Sequence, residues 1–277
     1  MYQEALTNRV ARPRHYAMCP PTYFEVTYAI NPWMKPERPV DQGRAMAQWQ
    51  WLYESFGELG HKVDLIDPVP GLPDMVFAAN AGTIVDGRVL VSRFRNQERM
   101  PEGPAFLEWF RDHGYPRAQA ATMINEGEGD FLVTRSRILA GRGFRTEPAA
   151  HAEAQEFFGR PVVGLDLVDP RFYHLDTALA VLDDVTEEIM YFPAAFSAAS
   201  QAVLAELYPD AILAGEADAL AFGLNLVSDG RNVVLPAEAT GLAGTLAAAG
   251  YVPVPVELGE LRKGGGSVKC CVAELRP

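Results

Sequence analysis

The stretch LNLVSDGRNVVLPAEATGLAGTLAAAGYVPVPV (residues 224–256) decides the fold class. Its first part holds two short apolar runs on either side of Asp229-Gly230, a dipeptide that favours a hairpin turn between two strands. The alanine- and leucine-rich segment Thr240–Ala249 is typical of a helix, and the glycine directly after it is a helix stop. Val252–Val256 predicts a third strand. The stretch therefore predicts one strand–strand–helix–strand (ββαβ) unit.

The same order of elements recurs along the chain, although the residues themselves do not repeat. The patterns predict helices at Gln42–Leu59, Glu102–His113, His151–Phe158, Ala198–Leu207 and Thr240–Ala249. They predict strands at Lys62–Ile66, Met75–Ala79, Arg88–Ser92, Phe131–Val133, Arg137–Ala140, Val162–Leu165, Thr177–Leu182, Glu188–Phe192, Leu224–Val227, Val233–Pro236 and Val252–Val256. No proline- or serine-rich linker divides the chain, so we expect one domain over residues 1–277. Within it, five pseudo-repeated units and an ordinary α/β sandwich are both compatible with the pattern.

The composition is that of an ordinary globular protein and limits the function classes. The chain has 24 Lys and Arg against 36 Asp and Glu, a net charge of −12. This balance disfavours nucleic acid as a partner, because phosphate binding needs a basic face. No segment is apolar over the length that a membrane span requires, and residues 1–21 lack the apolar core of a secretory signal. We therefore expect no membrane association and a cytoplasmic location.

Three cysteines cannot form a disulfide framework, and no CxxC or Cys/His cluster indicates a metal site. Two of them, Cys270 and Cys271, are adjacent and follow the glycine run 264–266, which lets the backbone approach a ligand closely. On a strand, neighbouring side chains point to opposite faces, so only one of the two thiols can face a site. A reactive thiol and two small apolar core residues both remain compatible with this pattern.

Three further segments carry polar groups suited to chemistry. His174 and Asp176 are two residues apart and would share one face of a strand, where the carboxylate would orient the imidazole and make it more basic. The loop Asn125–Asp130 places Glu126, Glu128 and Asp130 within six residues, as either a solvated turn or a carboxylate cluster that holds a cation. Asn80 ends an apolar run and would bind a ligand or form an Asx turn.

Taken in their order along the chain, these motifs resemble those of the guanidino-group-modifying (pentein) superfamily. This superfamily includes arginine deiminases, dimethylarginine dimethylaminohydrolases, amidinotransferases and arginine dihydrolases. The resemblance covers most of the chain: Asn80 at the end of its apolar run, the acidic Glu-Gly-x-Gly-Asp loop, His174-Leu175-Asp176, and the terminal glycine run with its cysteine. It implies an α/β fold, a five-bladed pseudo-symmetric propeller of ββαβ units. This agrees with the five predicted units.

The resemblance also implies roles for individual residues. Cys270 would be the nucleophile, His174 the acid/base, and Cys271 would point away from the site. Asp176 and Glu126 would hold the guanidinium group. Arg99 and Arg145 would grip the substrate carboxylate, for which the arginine fork is suited. No metal or organic cofactor is expected; the partner would be a small-molecule guanidino substrate, and a homo-oligomer is compatible with the sequence.

Two departures from the family pattern distinguish its branches. Many members have Glu-Gly-Gly-Asp in the acidic loop, whereas this loop is one residue longer, and the glycine that follows Glu126 favours it over Glu128. Position 80 is asparagine where deiminases and dimethylarginine hydrolases usually have aspartate. Together with Asn31, this favours an arginine dihydrolase, which converts arginine to ornithine, carbon dioxide and two ammonia molecules. Alternatives are a dimethylargininase or arginine deiminase giving citrulline, an amidinotransferase, and a non-catalytic binding module.

Overall fold

The computed structural model describes residues 8–277 and contains six α-helices and fifteen strands in that range. The prediction of a signal-free N-terminus falls partly on the first seven residues, which lie outside the described part. The helices are α1 (Gln42–Glu58), α2 (Glu102–Asp112), α3 (Pro148–Phe158), α4 (Ala198–Leu207), α5 (Glu216–Leu220) and α6 (Thr240–Ala248). The strands are β1 (His15–Met18), β2 (Lys62–Leu65), β3 (Gly82–Val85), β4 (Arg88–Val91), β5 (Ala118–Ala120), β6 (Phe131–Val133), β7 (Ile138–Arg142), β8 (Val162–Asp166), β9 (Leu179–Asp183), β10 (Glu188–Tyr191), β11 (Ile212–Leu213), β12 (Val227–Ser228), β13 (Asn232–Pro236), β14 (Val252–Val256) and β15 (Ala273–Glu274).

The strands form five three-stranded sheets within residues 8–277, and each sheet is one blade. Four blades are continuous in sequence: β3–β5, β6–β8, β9–β11 and β12–β14. In each of these, the first two strands pair antiparallel, and a helix then leads to a third strand that pairs parallel with the second. A parallel pair needs such a crossover, whereas an antiparallel pair needs only a turn. The predicted five ββαβ units and five-bladed α/β fold are therefore confirmed.

The fifth blade joins the two ends of the described chain. Strand β15 pairs antiparallel with β1, where Tyr16 lies opposite Glu274, and β1 pairs parallel with β2 after helix α1. The order β15–β1–β2 thus repeats the strand–strand–helix–strand pattern with a first strand that comes from the C-terminal segment. This pairing closes the ring of blades and fixes the segment just before β15, which holds Cys270 and Cys271.

One predicted strand is in fact a pair of tight turns, and another begins later than predicted. Met75–Ala79 falls in two short 3₁₀ turns, Pro73–Val76 and Ala78–Ala81, and the strand begins only at Gly82. These residues are apolar because they are buried, and an apolar run alone does not distinguish a strand from a buried turn. The strand predicted from Thr177 begins at Leu179, and a 3₁₀ turn, Leu175–Thr177, precedes it. His174 and Asp176 therefore do not share a strand face.

The same correction applies to the cysteine pair. Lys269–Cys271 forms a 3₁₀ turn that ends where β15 begins, so Cys270 and Cys271 do not alternate along a strand. Each blade is thus entered through a turn or loop, and polar side chains from all five entries reach a common buried region: Asn80, Glu126, His174, Asp176, Asn225 and Cys270. The pseudo-fivefold fold therefore gathers residues that are distant in sequence at one end of the ring.

We expect Gly127→Ala to destabilise the protein, because Gly127 has φ 59° and an added Cβ would lie 2.8 Å from the carbonyl oxygen of Ala79. The strained backbone conformation and the clash with the Ala79 carbonyl would both displace the acidic loop. We expect them to lower the free energy of unfolding by roughly 1–3 kcal/mol. The control is Gly244→Ala within α6, where nothing lies within 4 Å and a stabilisation of roughly 0.5–1 kcal/mol is expected. Urea denaturation measures both; equal effects in the two variants contradict the expectation.

Candidate functional site

The turn that carries Cys270 is held by close backbone packing. Gly265 has φ 89°, and a Cβ added there would lie 2.6 Å from Asn31 Nδ2, so a larger residue would displace this side chain. The Tyr173 hydroxyl donates to the Gly265 carbonyl at 2.7 Å, and Asn31 Nδ2 donates to the Gly264 carbonyl at 3.1 Å. The glycine run thus brings Asn31 and Tyr173 against the turn, and it fixes the approach to the thiol.

The Cys270 sulfur lies in a polar but buried environment. Its residue is 3% exposed, and Sγ is 3.3 Å from Asp176 Oδ2 and 3.1 Å from Asn225 Nδ2. Burial, and next the Asp176 carboxylate, raise the pKa of the Cys270 thiol well above its ordinary value. Burial also raises the pKa of Asp176 to about 6. A bound cation would reverse both effects, because it favours the charged form of each group.

Cys271 is the structural neighbour in the pair. Its residue is fully buried in an apolar cluster with Tyr16, Met18 and Leu52, and burial raises the pKa of its thiol. Both thiols belong to this cluster, but the Cys270 sulfur also contacts the polar side chains of Asp176 and Asn225, and the turn rather than strand alternation separates the two residues.

Glu126 and His174 form a buried hydrogen-bonded pair. Glu126 Oε2 lies 2.8 Å from His174 Nε2 and 2.7 Å from Arg145 Nη1, and neither Glu126 nor His174 is more than 2% exposed. Despite burial, Arg145 and then the His174 hydrogen bond hold the pKa of Glu126 far below its ordinary value. An ionised carboxylate only accepts hydrogen bonds, so His174 Nε2 carries the proton of this bond. Nδ1 has no hydrogen-bond partner among the described residues, and it is the ring nitrogen left for proton transfer.

The other two acidic residues of the loop take separate partners. Glu128 accepts from Lys269 Nζ at 2.7 Å and pairs with Arg276, and these cations hold its pKa below the ordinary value. Asp130 accepts from the Thr146 hydroxyl at 2.7 Å and from the backbone N–H of Leu175 at 3.0 Å. The loop is thus buried rather than solvated, and its carboxylates do not converge on one cation. Lys269 Nζ donates to Glu128 and to the Val272 carbonyl.

Asn80 and Arg99 belong to a second buried network. Asn80 Nδ2 donates to the Glu126 carbonyl at 2.8 Å, and Asn80 Oδ1 accepts from Arg99 Nη1 at 2.8 Å. Arg99 also pairs with Glu102 through two bonds of 2.9 and 2.7 Å, and it donates to the backbone carbonyl of Asp74. Arg99 therefore holds Asn80 in place, and Asn80 in turn holds the acidic loop. That Arg99 binds a substrate carboxylate stays a prediction, and the same holds for Arg145.

The segment from Tyr28 to Met34 has neither helix nor strand, and it packs on the site through polar contacts. The Ile30 carbonyl accepts from Arg145 Nη2 at 2.9 Å, and Trp33 Nε1 donates to the Arg171 carbonyl at 2.9 Å. Asn31 Oδ1 accepts from the backbone N–H groups of Trp33 and Met34. Asn31 therefore shapes this segment with its oxygen and contacts the glycine run with its nitrogen.

Sequence reasoning missed three residues of the site. Asn225 contacts the Cys270 sulfur, and its only signal was its place at the start of the fifth unit's first apolar run. Asp74 is 2% exposed, accepts from the Tyr28 hydroxyl at 2.8 Å, and has one oxygen, Oδ1, without a hydrogen-bond partner in residues 8–277. The centroid of the Tyr173 ring lies 4.7 Å from the guanidinium carbon of Arg145, which sits over the ring. None of the three belongs to a motif that spacing alone identifies.

The arrangement can perform nucleophilic chemistry on a cation. It combines a thiol, an imidazole oriented by an ionised carboxylate, and the carboxyl group of Asp176 with an unpartnered Oδ1. In the described part of the chain, no three His, Cys, Asp or Glu side chains are placed to hold a metal ion. None of the helices in residues 8–277 has both the length and the apolar character of a membrane span.

Comparison with known proteins gives close sequence relatives, although no protein-family model matches the chain. The chain is 56% identical over 269 residues to an N(G),N(G)-dimethylarginine dimethylaminohydrolase of Mycobacterium tuberculosis. The aligned region covers 97% of this chain and 88% of the relative. It is 36% identical over 271 residues to the bifunctional arginine dihydrolase/ornithine cyclodeaminase AgrE of Nostoc. That match covers 96% of this chain but 38% of AgrE, so the chain spans less than half of the bifunctional relative.

The fold has equally close counterparts among solved structures. The N-terminal domain of ArgZ, an arginine dihydrolase from the ornithine–ammonia cycle of cyanobacteria, was solved as a substrate-bound mutant. It matches with a TM-score of 0.90 and 36% sequence identity, over 95% of this chain and 98% of that domain. The similarity in sequence and in structure therefore extends over nearly the whole chain.

We expect Glu126→Gln to lower the free energy of unfolding at pH 7 by about 3–5 kcal/mol, because it leaves the buried Arg145 cation unpaired. The depressed pKa of Glu126 contributes stability that is complete above the ordinary pKa of glutamate and is lost as the pH falls below it. The difference between wild type and variant should therefore shrink from pH 7 to pH 3. Denaturant titrations at both pH values measure this difference. The exposed control Glu206→Gln should change stability by less than about 0.5 kcal/mol, and an unchanged difference at pH 3 would contradict the assignment.

Proposed function

Because the chain belongs to the pentein superfamily of guanidino-group-modifying enzymes and is a guanidino hydrolase that acts on C–N bonds, we propose that it is an arginine dihydrolase. In this reaction, arginine and two water molecules give ornithine, carbon dioxide and two ammonia molecules. The observation that carries the proposal is the neutral amide of Asn80 beside His174: a Cβ added at Gly129 would lie 2.5 Å from Asn80 Nδ2 and 3.2 Å from His174 Nδ1. The arginine dihydrolase relatives support the same activity.

The first half-reaction uses the buried thiol. The guanidinium cation binds against Asp176, whose ionised form it stabilises, and the same cation lowers the pKa of the Cys270 thiol. The thiol passes its proton to Nδ1 of His174, and the resulting thiolate attacks the guanidinium carbon and forms a C–S bond. His174 donates a proton to the departing nitrogen, the C–N bond breaks, and ammonia leaves. The product of this step is a covalent thiouronium on Cys270.

The second half-reaction releases the enzyme. His174, now neutral, takes a proton from water, the water oxygen attacks the thiouronium carbon, and the C–S bond breaks with its electron pair on sulfur. The product is citrulline. In a dihydrolase, the neutral ureido group undergoes a second attack by Cys270, with loss of the second ammonia and hydrolysis to ornithine and carbon dioxide. A neutral ureido oxygen needs hydrogen-bond donors, which the amides of Asn31 and Asn80 supply and a carboxylate at position 80 would not.

Glu126 acts through His174 in this scheme. The resemblance implied that Glu126 holds the guanidinium, but Oε2 is shared by His174 and Arg145, and Oε1 accepts from the Arg95 backbone N–H at 3.3 Å. This geometry favours a role in orienting the imidazole, in the manner of a carboxylate–histidine pair. Asp176 is then the carboxylate that contacts the guanidinium. Asp74 Oδ1, buried and unpartnered among residues 8–277, offers an acceptor for an α-ammonium group.

A second candidate is dimethylarginine dimethylaminohydrolase activity, which the 56% identical relative favours. It uses the same first half-reaction and the same water attack, and it stops at citrulline with dimethylamine as the leaving amine. The two candidates differ in the substrate nitrogen that leaves and in what becomes of citrulline.

We expect Cys270→Ser to reduce turnover by at least about a thousandfold, because serine is a far weaker nucleophile than a thiolate. Cys271→Ser should keep most of the activity, since its side chain faces the apolar core. It should lose roughly 1–3 kcal/mol of stability because a hydroxyl is buried there. Ammonia release measured at low temperature, with circular dichroism to verify folding, compares the two matched variants. The reverse order of activities would overturn the assignment of the nucleophile.

Product analysis distinguishes the two candidate activities. Purified protein is incubated separately with arginine, dimethylarginine and citrulline, and products are identified by mass spectrometry, with Cys270→Ser as the inactive control. An arginine dihydrolase gives ornithine with two ammonia per arginine, and it converts citrulline. Citrulline and dimethylamine from dimethylarginine, with no reaction on arginine, would replace the proposal by the second candidate. No product from any of the three would refute both.

A further inference from the structure

Asn225 lies at the entry of the β12–β14 blade, two residues before β12, and it is fully buried. Its side chain makes four hydrogen bonds. Nδ2 donates to Cys270 Sγ at 3.1 Å and to the Asp176 carbonyl at 3.2 Å. Oδ1 accepts from the backbone N–H groups of Cys270 at 3.1 Å and Ser267 at 3.2 Å. This one amide therefore contacts the Cys270 sulfur, the backbone of the turn that carries Cys270, and the Asp176 carbonyl at the entry to β9.

The orientation of this amide is determined by its partners. Oδ1 faces two backbone N–H groups, which can only donate, and Nδ2 faces a backbone carbonyl, which can only accept. A rotation by 180° about the terminal bond would lose all three bonds. The atom directed at the Cys270 sulfur is therefore an N–H donor, and a donor stabilises a sulfur anion more than a neutral thiol.

The surroundings of the sulfur make such a donor important. The titratable groups around it are Asp176 from the entry to β9, Cys271 next in the chain, and Tyr173. None of these three is a cation, and the ammonium group of Lys269 is directed at Glu128 instead. When the S–H bond ionises, its electron pair stays on sulfur and the bond to Asp176 Oδ2 loses its donor. The Asn225 N–H is the side-chain donor that the structure places on this atom.

We propose that Asn225 is a catalytic residue: its Nδ2–H group stabilises the Cys270 thiolate, and its Oδ1 holds the turn that presents the sulfur. The inference rests on the proposed function in one respect, that Cys270 is the nucleophile. It extends that function by a donor to the attacking atom, which is distinct from the carboxylate and histidine groups that bind and protonate the substrate.

Two substitutions separate the donor from the acceptor. Asn225→Asp keeps an oxygen for the Cys270 and Ser267 N–H groups but removes the donor, whereas Asn225→Ala removes both. The readout is the rate of Cys270 alkylation by iodoacetamide from pH 6 to 10.5, followed by mass spectrometry. In this reaction the thiolate forms an S–C bond and iodide leaves, so the rate at a given pH follows the thiolate fraction.

We expect alkylation at pH 8 to fall about tenfold in Asn225→Ala, because a hydrogen bond to a charged group is lost. A larger loss, about a hundredfold, is expected in Asn225→Asp, because a carboxylate replaces the donor. In both variants, the pH at which the Cys270 alkylation rate reaches half of its maximum should be higher than in the wild type. The control Asn232→Ala removes an amide of the same blade whose side-chain hydrogen bond within residues 8–277 is to Asp229, and it should leave the alkylation profile unchanged. A wild-type profile in Asn225→Asp would overturn the proposal and leave a purely structural role.

A measurement on the wild-type fold covers the case in which the variants do not fold. With ¹⁵N-asparagine labelling, one side-chain amide resonance should shift with pH as the thiol ionises, and it should lose this titration in Cys270→Ser. Absence of any such resonance would refute the contact. Because alkylation and the resonance need no substrate, a protein that passes both tests but hydrolyses no guanidino compound would refute the proposed function and not this inference.

Discussion

The ion pair between Glu126 and Arg145, shared with His174, is the interaction on which the site depends. Three groups that would each be costly to bury alone become compatible with burial because they satisfy one another. Arg145 also donates to the Ile30 carbonyl, and the Glu126 backbone carbonyl accepts from Asn80. The pair thus connects the His174 imidazole to the segment that packs over the site and, through Asn80, to the Arg99 network.

The pseudo-fivefold fold explains why such a pair can be assembled. Each blade begins with a strand that is entered through a buried turn or loop, and the five entries lie at the same end of the ring. One entry supplies the Glu126 carboxylate, and another supplies the His174 imidazole and the Asp176 carboxyl group. Two entries supply the amides of Asn80 and Asn225, and the last supplies the Cys270 thiol. The pairing of β15 with β1 places this last turn in register, so the position of the Cys270 thiol depends on the closure of the ring.

The electrostatics of the site suit a cationic substrate. Burial raises the pKa of Asp176 to about 6, and burial together with the Asp176 carboxylate raises the pKa of the Cys270 thiol well above its ordinary value, so at neutral pH the thiol keeps its proton beside a mostly ionised carboxylate. A guanidinium cation stabilises the ionised form of each group, and the Asn225 amide adds a donor that remains with the sulfur throughout. The reactive state of the thiol therefore forms with its substrate, which limits reaction with neutral molecules.

The sequence by itself determined the repeated order of elements, the family, the cysteine pair and the acidic, histidine and asparagine motifs, because each depends on local pattern and spacing. It failed at Met75–Ala79, where an apolar run indicated a strand, and at His174, Asp176 and Cys270, whose side chains were expected to alternate along strands, because the chain forms buried turns at all three places. Only the tertiary structure decided that Glu126 pairs with His174 and Glu128 with Lys269, and that Asn225 contacts the Cys270 sulfur. These choices depend on which blades meet at the ring centre, where desolvation forces every polar group to find a partner from a distant segment.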